Sequence, residues 1–332
     1  MNSLASPMRR RILKASAIAV CLPLANCTSP PMMVGSFVQL WRSHLDWTRE
    51  TWQQQLAATH ALGCQEIFLQ WTGIDSNPDK TWRTPDTLLQ SILDECGSLG
   101  IGVHVGLPYD ERWWTAIGTG SDDTIAAFLR TTRDRGCEYM QRTRWASHNA
   151  FLGWYIPYEL EQHSWSTAVR LDTLTDWLSA FSEAAIASSG HEPAVSTYFS
   201  MLPSTGTLSE MWRVLLDRVK LRPMIQDGVG VAGMDNYHRL QPLHDMLVER
   251  KAAFDLIVEL FEQLPSPLTD ASDFNARSAS FRRIEAQWDI AQGYGAQRIV
   301  AFAVDPWVLG GTPEAQALRQ RWQSVLGTPR AT

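Results

Sequence analysis

Eight short apolar runs alternate with amphipathic segments along most of the chain, and this alternation restricts the fold more than any other feature. The runs are VGSFVQLW (34–41), EIFLQWT (66–72), GVHVGLP (102–108), FLGWYIPYE (151–159), PAVSTYF (193–199), PMIQDG (223–228), AFDLIVELF (253–261) and RIVAFAVD (298–305). Runs that are apolar nearly throughout are the mark of strands in a parallel sheet covered on both faces. Between them, apolar residues recur at helical spacing, as in Leu88, Leu89, Ile92, Leu93, Cys96 and Leu99, or Leu171, Leu174, Leu178, Phe181 and Ala185. Thr84 is expected as an N-cap with Pro85 at the first helical position, and TLSE at 207–210 reads as a capping box. After the sixth run only a short helical piece around Leu243 and Leu247 is expected, with Pro242 interrupting. Eight strand–helix pairs with no linker fit an open doubly wound sheet or a closed (β/α)8 barrel. The count and the length favour the barrel, one α/β domain over residues 34–328.

The segment before this domain has a different character. RRRILKASAIAVCLPLANC, from Arg9 to Cys27, has a basic start, a short apolar run and a cysteine after small residues. The apolar run is too short for a stable membrane span, which takes ~20 residues, and reads as a cleavable export signal over residues 1–26. Arg9, Arg10, Arg11, Ile12, Leu13 and Lys14 resemble a twin-arginine signal, and LANC resembles a bacterial lipobox. The resemblance implies lipid on Cys27, membrane attachment through it, a short linker over 27–33, and a periplasmic or membrane-anchored protein.

Composition removes several function classes. The net charge of −6 argues against a nucleic-acid partner, which selects basic surfaces. Loss of the signal takes away Arg9, Arg10, Arg11 and Lys14 and no acid, so the mature chain is more acidic still. Cys64, Cys96 and Cys137 form no CxxC pair, and free buried thiols are the expected state, although Cys64 and Cys96 could approach each other at the bottom of a barrel. The histidines show no metal-ligand spacing, and no Gly-x-Ser-x-Gly elbow is present. GVGVAG at 228–233 matches a dinucleotide fingerprint in letters only, because it sits in the sixth unit and no long helix is expected to follow directly. Its glycines are better read as allowing close backbone approach. No cofactor and no metal are expected.

Tryptophan is abundant, at 15 residues. Indoles fill cores, and they also form flat apolar platforms that suit the faces of sugar rings. In a (β/α)8 barrel the active site lies at the C-terminal ends of the strands. The expected strand ends bring together Gln39, Trp41, Gln70, Trp71, Tyr109, Trp113, Trp114, Tyr198, Gln226, Asp227 and Trp307 as candidate substrate-binding groups. Trp52, Trp177, Trp212, Trp288 and Trp322 fall on helices and read as packing.

Two carboxylates end the fourth and seventh strands, Glu159 and Glu259. Across a barrel mouth they would flank a glycosidic bond, as its hydrolysis needs, and a separation of about 5 Å would imply a retaining mechanism. Glu262 competes with Glu259 for the second place, but strand alternation puts the two on opposite faces. Asp227 is expected to orient a sugar hydroxyl, to tune a glutamate or to cap the turn before Gly228.

The motifs SFVQLW, EIFLQWT, WW at 113 and 114, GWYIPYE, QDGVG and IVELFE together resemble the domain of unknown function 4434 family. This resemblance runs from about residue 34 to 307 and implies a glycoside-hydrolase-like TIM barrel with a carbohydrate-active role. The arrangement also resembles clan A glycoside hydrolases, by which Glu159 is implied as acid/base and Glu259 as nucleophile. It departs from that clan in having Tyr158 where Asn usually precedes the acid/base Glu. Two functions follow as expectations: an exported glycoside hydrolase acting on a polysaccharide or oligosaccharide, or a non-catalytic polysaccharide-binding lipoprotein serving exopolysaccharide synthesis or export.

Overall fold

The computed structural model describes residues 33–77, 80–265 and 275–327. The export signal, Cys27 and nearly all of the linker lie outside the described residues. Eight strands form a closed parallel barrel: β1 (Gly35–Val38), β2 (Glu66–Leu69), β3 (Gly102–Gly106), β4 (Phe151–Leu160), β5 (Ala194–Thr197), β6 (Arg222–Gln226), β7 (Asp255–Glu259) and β8 (Arg298–Phe302). Each strand pairs with its neighbour in sequence, and β8 closes on β1 through Gly35 and Ser36. The open doubly wound sheet is thereby excluded. The principal helices cover the barrel outside: α1 (Arg49–Ala61), α2 (Asp86–Leu99), α3 (Asp122–Arg142), α4 (Ala168–Ser189), α5 (Leu208–Arg218), α6 (Asn236–Glu249), α7 (Phe281–Gln292) and α8 (Pro313–Leu326).

Strand alternation divides the apolar residues into two layers. Phe37, Phe68, Tyr155, Ala194, Met224, Ile257 and Val300 fill the barrel interior. Their neighbours Val38, Ile67, Leu69, Trp154, Ile156, Ile225, Leu256 and Val258 face the helices. β4 slips register against β5 between Ile156 and Leu160. Pro157 lies in this irregularity, where its missing N–H removes no ladder bond.

Local signals set most helix boundaries. Thr48, Ser121, Ser280 and Thr312 accept from backbone N–H groups of their first turns, and Thr207 with Glu210 forms the expected capping box. Two expectations are corrected. α2 opens at Asp86 with Pro85 as N-cap and no side-chain cap, so Thr84 stands one residue too early. The piece around Leu243 is a full helix, α6, with Pro242 inside it. An interior proline costs about 3 kcal/mol, but Tyr237, Leu240, Leu243, Met246 and Leu247 are buried from this helix, and that packing outweighs the lost hydrogen bond.

The floor of the barrel is ionic. Asp255, fully buried, accepts from Arg222 Nε and Nη2, each at 2.7 Å, and from Arg298 Nη2 at 2.9 Å. Arg298 Nη1 reaches Glu66 at 3.0 Å. These residues begin β2, β6, β7 and β8, so the network ties separate strand starts together under the apolar interior. Cys64, Cys96 and Cys137 are free. Burial pushes the Cys64 and Cys96 thiols up to about 12 and that of Cys137 to about 11.

Candidate active site

The alternation that points Phe37, Phe68, Tyr155, Met224 and Ile257 inward carries on to the strand tips. It places Gln39, Gln70, Glu159, Tyr198, Gln226 and Glu259 on the inner face, above the apolar interior. The polar mouth is thus a continuation of the core pattern, two or four residues further along each strand. Gln70 is 6% exposed and its Oε1 has no partner.

Glu159 and Glu259 bracket the tip of β6. Gln226 Nε2 donates to Glu159 Oε1 at 2.8 Å, and the Gly230 N–H donates to Glu259 Oε2 at 2.7 Å. Burial raises the Glu159 carboxyl above its ordinary range, opposed by the Gln226 bond. Burial first, and then the charge of Asp227, push Glu259 up to about 8; the Glu159 charge adds to the rise, and the Gly230 bond opposes it. The charge of Glu159 is thus felt at Glu259.

Of the three roles expected of Asp227, turn-capping and tuning of a glutamate fit the structure and direct contact with a sugar hydroxyl is corrected. Alternation turns it outward after the inward Gln226, and it is fully enclosed, away from any ligand. Its Oδ1 accepts from Val229 N at 3.1 Å and Glu259 N at 3.2 Å. Its Oδ2 accepts from Gln287 Nε2 at 2.7 Å and the Tyr237 hydroxyl at 3.1 Å. Burial raises its carboxyl, but four donors hold it as the ionised member beside Glu259. Glu262 lies in a hairpin (Phe261–Gln263 with Ala276–Ser278) and pairs with Arg277 at 3.0 Å.

The model described as a domain of unknown function (DUF4434) matches residues 33–317, nearly the whole barrel. The chain belongs to the DUF4434 family. Among curated proteins, none matches it. Solved structures share the barrel. A Bacteroides thetaiotaomicron protein assigned as an α-L-fucosidase superposes with a TM-score of 0.66 at 12% identity, covering 90% of this chain and 96% of that one. A chitinase from Chromobacterium violaceum gives 0.52 at 11%, covering 90% and 100%. The Bacillus cereus spore cortex-lytic enzyme SleL gives 0.56 at 9%, covering 90% and 75%. At such identities the likeness establishes the fold.

In this DUF4434 barrel the rim aromatics divide by exposure. Trp113 is completely buried among Tyr158, Trp165 and Trp177, so the expected sugar platform there is corrected to core packing. Trp113 opens a short helix (Trp113–Thr119) whose other buried residue is Ile117, and that inward face takes it. Its neighbour Trp114 is 42% exposed, at 6.0 Å from Tyr198 and nearly perpendicular to it. On the opposite side Trp41 is 45% exposed and stands at 70° to Trp71, with ring centroids 5.1 Å apart. Trp71 is buried, stacks on Tyr109 at 5.5 Å and donates its N–H to the Leu40 carbonyl. Burial, with the charge of Glu159, raises the Tyr109 hydroxyl. Trp307 is half-buried against Phe261, and its carbonyl accepts from Ser278. Trp52, Trp177, Trp212, Trp288 and Trp322 are buried as expected.

Residue-type reasoning missed the backing of Glu259. Arg283 Nη2 at 2.7 Å and Gln287 Nε2 at 3.2 Å donate to its carbonyl, and Gly230 holds its carboxyl. The glycines of GVGVAG carried the signal. Gly228 has φ +62° and begins the one-turn helix Val229–Ala232 that presents the Gly230 N–H. A Cβ on Gly230 would lie 2.8 Å from Glu259 Oε2 and 2.6 Å from the Phe261 carbonyl oxygen.

Proposed function

We propose that this DUF4434 barrel is a glycoside hydrolase that cleaves a polysaccharide or oligosaccharide with Glu159 and Glu259 as its two carboxyl groups. The carrying observation is the pair itself: two carboxyls bracketing the β6 tip, each raised by burial, with the Glu159 charge felt at Glu259. Hydrolysis of a glycosidic bond uses one neutral and one ionised carboxyl, and unequal surroundings separate two such groups. Glu259, beside the ionised Asp227, keeps its proton up to about pH 8. Glu159, whose Oε1 accepts from Gln226 Nε2, is the carboxyl we take as ionised. We therefore assign the proton given to the leaving oxygen to Glu259, and attack on the anomeric carbon to Glu159. This is the reverse of the assignment that the clan A likeness implies. Retention of configuration is part of the proposal, with proton NMR of the first-formed anomer as its check. Gln39, Gln70 and Tyr198, on the same inner face, supply hydrogen bonds to sugar hydroxyls. The signal-like stretch ending at Cys27 supports an exported, lipid-anchored form.

The test is a panel of polysaccharides followed by a pH profile on whichever is cut. With Glu259 as acid, kcat/KM falls as pH rises through about 8, and Asp227→Asn moves that fall to lower pH by removing the neighbouring charge. A rate that instead climbs through the same pH restores Glu259 as nucleophile. A protein that binds a polysaccharide and cuts none is the non-catalytic binding lipoprotein.

The Gly230 contact gives a second measurement. Gly230→Ala forces a methyl group against Glu259 Oε2 and the Phe261 carbonyl. Displacing a reacting group by about 1 Å lowers rates by roughly 10²-fold, so kcat should drop by that order, and because the Phe261 carbonyl is backbone the melting temperature should fall by several degrees as well. An alanine variant with the parent's kcat would remove Gly230 from the site.

A further inference from the structure

We propose that the mouth binds the interior of a glycan chain, laid along the diameter from β1 to β5, so that cleavage falls inside the chain. This rests on the hydrolase reading for the cut, and on the geometry alone for the path of the chain.

The strand order fixes the path. With eight strands in sequence around the barrel, β1 and β5 stand opposite each other. The line joining them passes between the tips of β4 and β7, which carry Glu159 and Glu259. A chain on that line has one carboxyl on each flank, as the two-carboxyl chemistry requires.

Both ends of the line carry an exposed indole. At the β1 end Trp41 is 45% exposed, and at the β5 end Trp114, beside Tyr198, is 42% exposed. Each exposed indole stands nearly perpendicular to its ring neighbours: Trp41 at 70° to Trp71, and Trp114 at 71° to Trp113 and 65° to Tyr198. Met201 and Leu202, at 65% and 59% exposed, prolong the apolar surface beyond Tyr198. A site that trims chain ends needs an aromatic platform on one side of the cut and a wall on the other. Here platforms stand on both sides. Gln70, next to the β1 end, is buried and inward-facing with an unpartnered Oε1, and so offers an acceptor to a hydroxyl on the chain between Trp41 and the carboxyls.

The purified protein is incubated with mixed-linkage β-glucan, xylan, mannan, β-1,3-glucan and chitosan, and viscosity, new reducing ends and product sizes are followed together. Internal cleavage shows as an early fall in viscosity and products of mixed length. Early release of one short sugar with viscosity preserved overturns the inference while leaving the hydrolase reading intact. Trp41→Ala and Trp114→Ala are each expected to raise KM for the polymer about tenfold, the size of a lost aromatic contact, with kcat within about twofold, and Trp114→Phe to restore most of it. If none of the polymers is cut, migration of Glu159→Gln through gels containing each polymer gives the second readout. Retardation that either tryptophan substitution abolishes upholds the chain path and removes the hydrolase reading. No retardation in any gel, or retardation that neither substitution changes, overturns the path.

Discussion

Replacing Glu159 or Glu259 by glutamine is expected to lower kcat on a cleaved glycan by about 10²–10⁴-fold while leaving polymer binding in place. Glutamine keeps the shape of each side chain and can still pair with Gln226 or with the Gly230 N–H, so the cleft survives and only proton transfer or nucleophilic attack is lost. The two variants should differ in a way that reads their roles. Loss of the acid matters least for aryl glycosides, whose leaving groups need no proton, whereas loss of the nucleophile is felt on every substrate. Glu259→Gln should therefore retain more activity on a nitrophenyl glycoside than Glu159→Gln. Stability moves in the opposite direction. The folded-state pKa of Glu259 is raised from 4.5 to about 8, so its protonated form favours folding below the unfolded value, and that contribution disappears as pH rises through about 8. Glutamine stays neutral, and Glu259→Gln should melt about 2–4 °C higher than the parent at pH 8, with a smaller gain at pH 5. Parent-like cleavage by both variants would dismiss the pair.

Asp255→Ala should be the most damaging single change to the fold. Asp255 is fully buried beneath the barrel and takes both Arg222 and Arg298. Its removal leaves Arg222 without its carboxylate and Arg298 with Glu66 alone, both side chains only 16% exposed. Breaking a buried ion pair by deleting one partner costs about 3–5 kcal/mol, which corresponds to a fall of roughly 10 °C in melting temperature. The Arg142–Glu138 pair on the surface of α3 has both side chains more than half exposed, and Glu138→Ala should change little. Thermal or urea unfolding of the two variants side by side checks this. An equal, small effect from both would mean that the floor network contributes nothing particular to stability.

The barrel was legible because its main determinant is periodic. Eight apolar runs, each followed by a helical stripe, leave few architectures, and closure follows from the count. The carboxyl pair was legible for the same reason, since Glu159 and Glu259 continue the inward phase set by Tyr155 and Ile257. Errors arose where a residue was judged by nearness to a strand end instead of by phase. Asp227 follows an inward Gln226 and faces outward, so its sugar contact fails while its capping and tuning roles stand; Trp113 lies next to the exposed Trp114 yet falls on the opposite face of a short helix. Pro242 was misjudged because a local propensity was weighed without the apolar face that holds α6 in place. Gly230 was marked as a place of close backbone approach, but its partner Glu259 was not, because a backbone N–H names no partner in a residue-type motif. The ionic floor was hidden because Glu66, Arg222, Asp255 and Arg298 are far apart in sequence and meet only when the sheet closes.

The three free thiols carry a practical consequence. With Cys64, Cys96 and Cys137 shifted to about 12, 12 and 11, almost none of the sulfur is present as reactive thiolate at neutral pH. Folding of the barrel then calls for no oxidant, and a reductant has no crosslink in it to break. Yield and melting temperature should come out the same from bacterial cytosol as from secreted cultures, and with or without dithiothreitol.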